Sequence, residues 1–358
     1  MKILHIIPSA NWAGTEKIAF SFANYQSQFH EVVIVIRTGN GFDRSFYQKK
    51  INEGIELLEI PSSIKSQAEI NRYVARNLKF SPDIIHGHLG LGCKIASFLK
   101  TPDNICIGHL HIRFFAIHFQ DMDAVVAVSP WQLRDIPEWY RGEKYLVWNF
   151  LPKEEDATHV EMSRFKKRYY ISNNDYVIGT VARLHIEKGI DTLIRAFIEA
   201  GIPDAKLVII GDGSHDDYLR ELAEGRDDIV FTGFVDSASK YMKLFDLYVS
   251  ASRADSFGLS VLEALSRDVP VIASATYGSK DILGNSDNIF DIGDYRGLSC
   301  KMKKASINGL RQNVDLTRFS EDNSNYELLN FYEYMIEKLR ASFPTDVGVL
   351  EETACNID

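Results

Sequence analysis

The sequence predicts an α/β protein built as two doubly wound parallel sheets, each wrapped by helices and facing the other across a cleft. Three observations predict it. Short apolar runs recur along the chain, separated by segments of helical spacing. The alternation breaks once, over 145–159, and then restarts. The 358 residues suit two domains of ordinary size, and no repeat of fixed period runs through them.

In the first half, "KILHIIP" (2–8), "EVVIVIR" (31–37), "IELLEIP" (55–61), "DIIHGH" (83–88), "NICIGHLH" (104–111) and "AVVAVS" (124–129) read as strands buried on both faces. "GTEKIAFSFANYQ" and "QAEINRYVARNLK" between them have helical spacing. "YLVWNFLPKEEDATH" (145–159) breaks the pattern. The second half repeats it with strands "YVIGTVAR" (176–183), "AKLVIIGDG" (205–213), "IVFTGFV" (229–235), "LYVSAS" (247–252) and "PVIAS" (270–274). Helices are expected over 189–200, 215–224 and 237–244 and from about 258. "SNYELLNFYEYMIEKLR" carries Tyr, Leu, Phe and Met at helical spacing and closes the fold. The expected divisions are 1–150, 151–323, a helix over 324–341, and a polar, poorly ordered tail over 342–358.

Composition narrows the class. Hydrophobic residues make up 45% and charged residues 25%, the balance of a soluble globular chain. No apolar run nears the roughly 18 residues that span a bilayer. "MKILHIIPSANW" is too short for a signal peptide and reads as a first buried strand. Cys93, Cys106, Cys300 and Cys355 are scattered, without C-x-x-C pairing or zinc-finger spacing, which suits reducing cytosol. Residues 1–150 hold 16 basic and 14 acidic side chains, a balance of +2, and the remainder 24 and 35, a balance of −11. That is no field for nucleic acid, but it allows one local face that meets anionic lipid.

In open α/β sheets, ligands bind at the carboxyl ends of strands, so the loops there are the candidates. "PSANWAGTEK" follows the first strand with a single Gly14 before a helix, not the G-x-G-x-x-G of a dinucleotide site. It is either a plain turn or a helix start that admits an anion. "ARLHIEKG" places Arg183 and Lys188 five apart, which suits a diphosphate or a solvated basic loop. "IIGDGS" is a glycine turn in which Gly211 allows close backbone approach. "SRADSFGLSVLEALSRDVPVIAS" carries two carboxylates, Asp255 and Glu263, around Gly258 and a helix beginning near Ser260. There Asp255 either caps the helix or faces a ligand, and Glu263 either meets solvent or points to the mouth of the sheet. His86 and His88, then His109 and His111, form two H-x-H pairs at strand ends. Each pair shares one strand face and offers substrate-binding, structural or zinc-ligating imidazoles. The segments 111–119 and 131–141 mix aromatic and basic residues, as buried core with a wet edge does, or a membrane contact.

Taken in order, "AGTEK", "PDIIHGH", "IGHLH", "VARLHIEKGIDTLIRAF", "LVIIGDGS", "IVFTGFV" and "SRADSFGLSVLEALSRDVPVIAS" resemble the retaining glycosyltransferases of family 4, which have the GT-B fold. The similarity covers nearly the whole chain. It implies transfer of one sugar, with retention, from a nucleotide-diphosphate sugar to a glycan or lipid-linked acceptor, as in bacterial surface polysaccharide or lipopolysaccharide assembly. UDP is the expected nucleotide and no metal or other cofactor is expected.

By the resemblance, Arg183 and Lys188 hold the diphosphate and Glu263 the ribose. Asp255 stands for the family's first glutamate, facing the transferred sugar. Phe257, Gly258, Leu259 and Ser260 contact sugar and phosphate, Val235 meets the nucleobase, and Gly14 and Gly211 line the donor site. His111 sits beside the sugar, with Asn11, His88, His109 and Arg113 on the acceptor side. The closing helix is expected to return to the first domain, and the site of action is the cytoplasm or the inner membrane face.

Three departures bear on donor choice or on activity itself. The first carboxylate is Asp rather than Glu, Asp268 replaces a glycine after the carboxylate helix, and "TYGSK" keeps one glycine, Gly278, of an expected pair. A GT-B-type epimerase and a non-catalytic partner subunit are the alternative functions.

Overall fold

The apolar runs of the first half form parallel strands β1 (Lys2–Ile7), β2 (Glu31–Arg37), β3 (Glu56–Ile60), β4 (Ile84–His88), β5 (Ile105–Leu110) and β6 (Ala124–Ala127). The structure, a computed structural model, describes residues 1–10, 12–39, 41, 43–151, 155–284, 286–310 and 312–342. A further strand, β7 (Glu143–Leu146), lies where the sequence reads as approaching a break. It pairs only with β6, at the sheet edge, and is half-buried. An edge strand needs no continuous apolar run, so its pattern is weak. The sheet order is β3-β2-β1-β4-β5-β6-β7.

The second half gives β8 (Tyr176–Val181), β9 (Ala205–Ile210), β10 (Ile229–Gly233), β11 (Leu247–Ser250), β12 (Val271–Ser274) and β13 (Ile289–Phe290), in the order β10-β9-β8-β11-β12-β13. Both sheets are parallel throughout, and each reverses its winding beside its first strand. The crevices this leaves, between β1 and β4 and between β8 and β11, are where open sheets receive ligands.

Apolar side chains cover both faces of each sheet. On the first sheet, the face carrying Ile3 and Ile7 is covered by the helix Gly14–Gln26 and by the long terminal helix Glu321–Ser342. Leu328, Phe331, Tyr332 and Met335 of that last helix are buried in the first domain's core. Phe331 stacks on Tyr145 of β7, with ring centroids 4.3 Å apart. The helix therefore returns across the molecule because its apolar stripe has its partner there. The expected tail, apart from the first residue, falls outside the described residues.

Candidate active site

Loops from both sheets line one cleft of about 1880 Å³. On the second-domain side, Arg183 leaves the carboxyl end of β8, is exposed, and makes no hydrogen bond or ion pair through its side chain among the described residues. Lys188 ends a short 3₁₀ turn, Ile186–Lys188. Its Nζ lies 2.9 Å from Oδ2 of Asp255, which follows β11. The backbone amide of Phe257 donates to the other oxygen of Asp255 at 3.2 Å. Asp255 lines the cleft and accepts from the loop amide before the next helix, whose N-cap is Gly258.

The helix Leu259–Leu265 starts from Gly258, whose φ of 92° lies in the left-handed region. Glu263, one turn in, lines the same cleft, as do Leu259, Ser260 and Phe257, the last with its ring buried against Trp148 and Phe319. Gly211 and Val235 complete this wall. Gly211 has φ 142°, and a side chain there would overlap the carbonyl oxygen of Ala182, so the "GDG" turn is bare because two strand-end loops touch.

Arg253 holds the two charged loops together. It makes a bidentate pair with Asp191 at 2.9 and 2.8 Å, and also donates to the Ile186 carbonyl at 2.6 Å. It thereby ties the Lys188 turn to the Asp255 loop. Both Arg253 and Asp191 stand inside motifs that carry the family resemblance, yet sequence reasoning missed them. Their signal is a basic and an acidic residue, each beside a recognised charged position.

On the first-domain side, Gly14, His111 and Arg113 line the cleft. A side chain on Gly14 would overlap Leu259, so two glycine-loop and helix positions from opposite domains meet directly. Arg113 sits at the rim and pairs with Asp135 through two bonds at 3.2 and 2.6 Å. Asn11 lies outside the described residues.

His88 and His109 are corrections. The resemblance puts both on the acceptor side, but both are fully buried and neither lines the cleft. Parallel register sets His5 beside His86 and His88 beside His109, so these rings share the covered face of the first sheet. They bond to one another: His5 Nδ1 to His88 Nε2 at 3.0 Å, His88 Nδ1 to His111 Nε2 at 3.0 Å, and His86 Nε2 to His109 Nδ1 at 3.2 Å. Burial pushes His5 down to about 4 and His111 to about 3, so both are neutral at pH 7. His5, His86 and His88, and likewise His88, His109 and His111, bring nitrogens within 4.8 Å of one another. Among the described residues these are the places where metal-binding side chains gather.

The aromatic segments divide. Phe114, Phe119, Trp131 and Tyr140 are buried, while Phe115, Ile117 and Trp139 are exposed. Trp131 bridges the domains: it stacks on Tyr277 with centroids 4.9 Å apart, and its indole donates to the Ser256 carbonyl at 2.8 Å. Ser129 beside it hydrogen-bonds Asp281. Asp268, in place of a glycine, holds a left-handed φ of 60°, and Gly278 packs against the backbone of Phe257. No helix among the described residues is long and apolar enough to cross a membrane.

Residues 161–326 match the family model of glycosyl transferases group 1. The chain is 27% identical over 221 residues to the N-acetyl-alpha-D-glucosaminyl L-malate synthase of Bacillus anthracis, covering 59% of this chain and 58% of that enzyme. It is 27% identical over 304 residues to the O-antigen biosynthesis glycosyltransferase WclY of Escherichia coli, covering 76% and 80%. The match thus spans less than two thirds of the first relative and most of the second. Among solved structures, HepE of Anabaena in complex with UDP and glucose superposes with a TM-score of 0.73 at 17% identity, covering 95% of this chain and 100% of that one. The likeness is one of fold, and the fold is GT-B. Together these matches support a glycosyltransferase.

Proposed function

We propose that this protein transfers one sugar, with retention of anomeric configuration, from a nucleotide-diphosphate sugar to a glycan or lipid-linked acceptor in surface polysaccharide or lipopolysaccharide assembly. The observation that carries the proposal is the convergence of Arg183, Lys188, Asp255 and Glu263 on one cleft wall, opposite His111 on the other. UDP is the nucleotide favoured, since HepE, of the same fold, is described with UDP and glucose. The O-antigen role of WclY supports the acceptor class.

The chemistry follows from charge. As the bond from anomeric carbon to diphosphate breaks, negative charge grows on the leaving oxygens. Arg183 and Lys188 both stand at one wall of the cleft, and Lys188, held in place by Asp255, stabilises that charge better than mobile water does. Glu263 accepts hydrogen bonds from the ribose hydroxyls. Asp255 is tied to Lys188 and to the Phe257 amide, which suits a group that reads sugar hydroxyls rather than a free nucleophile. His111, neutral, lies across the cleft from these groups and accepts a hydrogen bond from a sugar hydroxyl. The acceptor then attacks on the face the diphosphate leaves, its proton passing to a phosphate oxygen, and configuration is retained. Domain approach at Gly14 and Leu259 excludes water from the reacting bond. The enzyme works in the cytoplasm, against the inner membrane face when the acceptor is lipid-linked.

The test is a panel of nucleotide sugars scored by protection against thermal unfolding, followed by NMR of the products with and without acceptor. Protection by a UDP-sugar and a product with the donor's anomeric configuration are expected. No response to any donor, an inverted product, or an epimerised sugar formed without acceptor overturns the proposal.

A further inference from the structure

We propose that Gln26, His5 and His88 form a buried positioning chain that holds His111 as its Nε2–H tautomer and turns the Nδ1 lone pair toward the cleft as a hydrogen-bond acceptor. The last clause rests on the proposed glycosyl transfer; the chain itself does not.

A neutral imidazole has one N–H donor and one acceptor nitrogen. A string of ring-to-ring hydrogen bonds therefore has a single polarity, set by whether the group that joins its end meets it with a donor or an acceptor atom. Here that group is the Gln26 side chain at the end of the helix Gly14–Gln26, whose Oε1 lies 2.7 Å from His5 Nε2. An amide oxygen only accepts, so His5 carries its proton on Nε2 and presents Nδ1 as acceptor. His88 Nε2, 3.0 Å away, must then donate to it, leaving His88 Nδ1 to accept from His111 Nε2 at 3.0 Å. One amide thus dictates the tautomer of a ring that it does not touch.

Two further features suit this use. Gln26, His5 and His88 are fully buried, so no water competes for the ring nitrogens and resets the polarity. Burial also keeps the rings neutral near pH 7, which preserves one donor and one acceptor on each. The second string behaves differently. The Tyr332 hydroxyl bonds His86 Nδ1, and His86 Nε2 bonds His109 Nδ1 at 3.2 Å. It stops at His109 Nε2, which has no partner among the described residues, and it does not reach the cleft. The first string alone connects the interior to the proposed reaction site.

The test uses the full chain labelled with ¹⁵N-histidine, and reads tautomers from long-range imidazole ¹H–¹⁵N correlations at neutral pH. His111 is assigned by its loss in His111→Gln. The wild-type spectrum, which needs no folded variant, is expected to show His111 with its proton on Nε2. Gln26→Leu, close in volume but without the acceptor, is expected to give a tautomer mixture at His111 and a kcat about tenfold lower, with donor KM unchanged. Gln26→Glu, which keeps an accepting oxygen, is expected to restore the single tautomer and most of the rate. A proton on Nδ1 of His111 in the wild type overturns the chain, as does an unchanged His111 signal in Gln26→Leu. So does a stoichiometric transition metal in the purified protein that His88→Gln removes, because the ring nitrogens would then be ligands instead. A tautomer shift without a rate change upholds the chain and sinks the role of His111 in transfer.

Discussion

Truncating Lys188 to alanine separates stability from activity, because the structure assigns different magnitudes to the two. The Lys188 side chain is 32% exposed and its partner Asp255 16%, at 2.9 Å. A pair at the wall of an open cleft is screened by water, so its net contribution to folding is about 0.5–1 kcal/mol. Asp255 also keeps the bond from the Phe257 amide after the truncation. The proposed role in transfer is larger. Removing the held one of two cations that stabilise growing charge costs roughly 3 kcal/mol of barrier, or about 10²–10³ in rate. The assay is kcat/KM with a UDP-sugar that the wild type accepts, beside denaturant unfolding of the same preparations. Lys188→Arg, which keeps the charge but changes its geometry, is expected to recover part of the rate. If Lys188→Ala stays within about threefold of wild type in kcat/KM, the diphosphate role is refuted. It is equally refuted if the unfolded fraction accounts for the whole loss.

Three other outcomes are expected. Asp255→Glu advances the carboxylate by about 1.5 Å and should alter relative kcat/KM across a panel of UDP-sugars more than the affinity for UDP; an unchanged donor profile counts against sugar reading. Asp268 holds φ 60°, so Asp268→Gly should raise stability by about 1 kcal/mol, seen as a higher urea midpoint, and a lower midpoint would show that its side chain matters more than its backbone. Burial lowers His5 from 6.5 to about 4 and His111 to about 3. These groups therefore stabilise the fold fully above about pH 6.5, and that contribution is lost as pH falls toward the folded values, since the unfolded chain takes up protons first. Denaturant midpoints between pH 7.5 and 5 should fall, and less steeply in His5→Gln; a flat profile would contradict the buried, neutral assignment.

The strands that lie inside the two sheets were legible because burial on both faces demands continuous apolar runs, as in "EVVIVIR" and "KLVII". Of the four edge strands, β3 and β10 kept apolar runs and were legible, whereas β7 was not because it is half polar, and β13 was not because it has two residues. Arg183, Lys188, Asp255 and Glu263 were legible through motif order. They share a cleft wall because each follows a strand end or the turn after it, and parallel strands deliver such ends to one side.

The buried histidines show the limit. In "DIIHGH" and "IGHLH" an imidazole at a strand end looks the same whether it faces a ligand or a neighbouring ring. The resemblance assigns His88 and His109 to the acceptor side, and the covering of that sheet face by two helices puts them inside instead. His5 and Gln26, which complete the chain, carry no local signal at all. The domain bridge from Trp131 to Tyr277 and Ser256 is equally silent, since its partners are more than a hundred residues apart.

By itself, then, the sequence determined the two parallel sheets, their order along the chain and the charged loops of the candidate donor site, because these depend on local apolar patterning and on residues next to strand ends. Which histidines face the cleft, how Lys188 and Asp255 pair and where the last helix docks were decided only by the tertiary structure. Those outcomes depend on register between strands and on surfaces brought together from distant parts of the chain, and no local pattern encodes either.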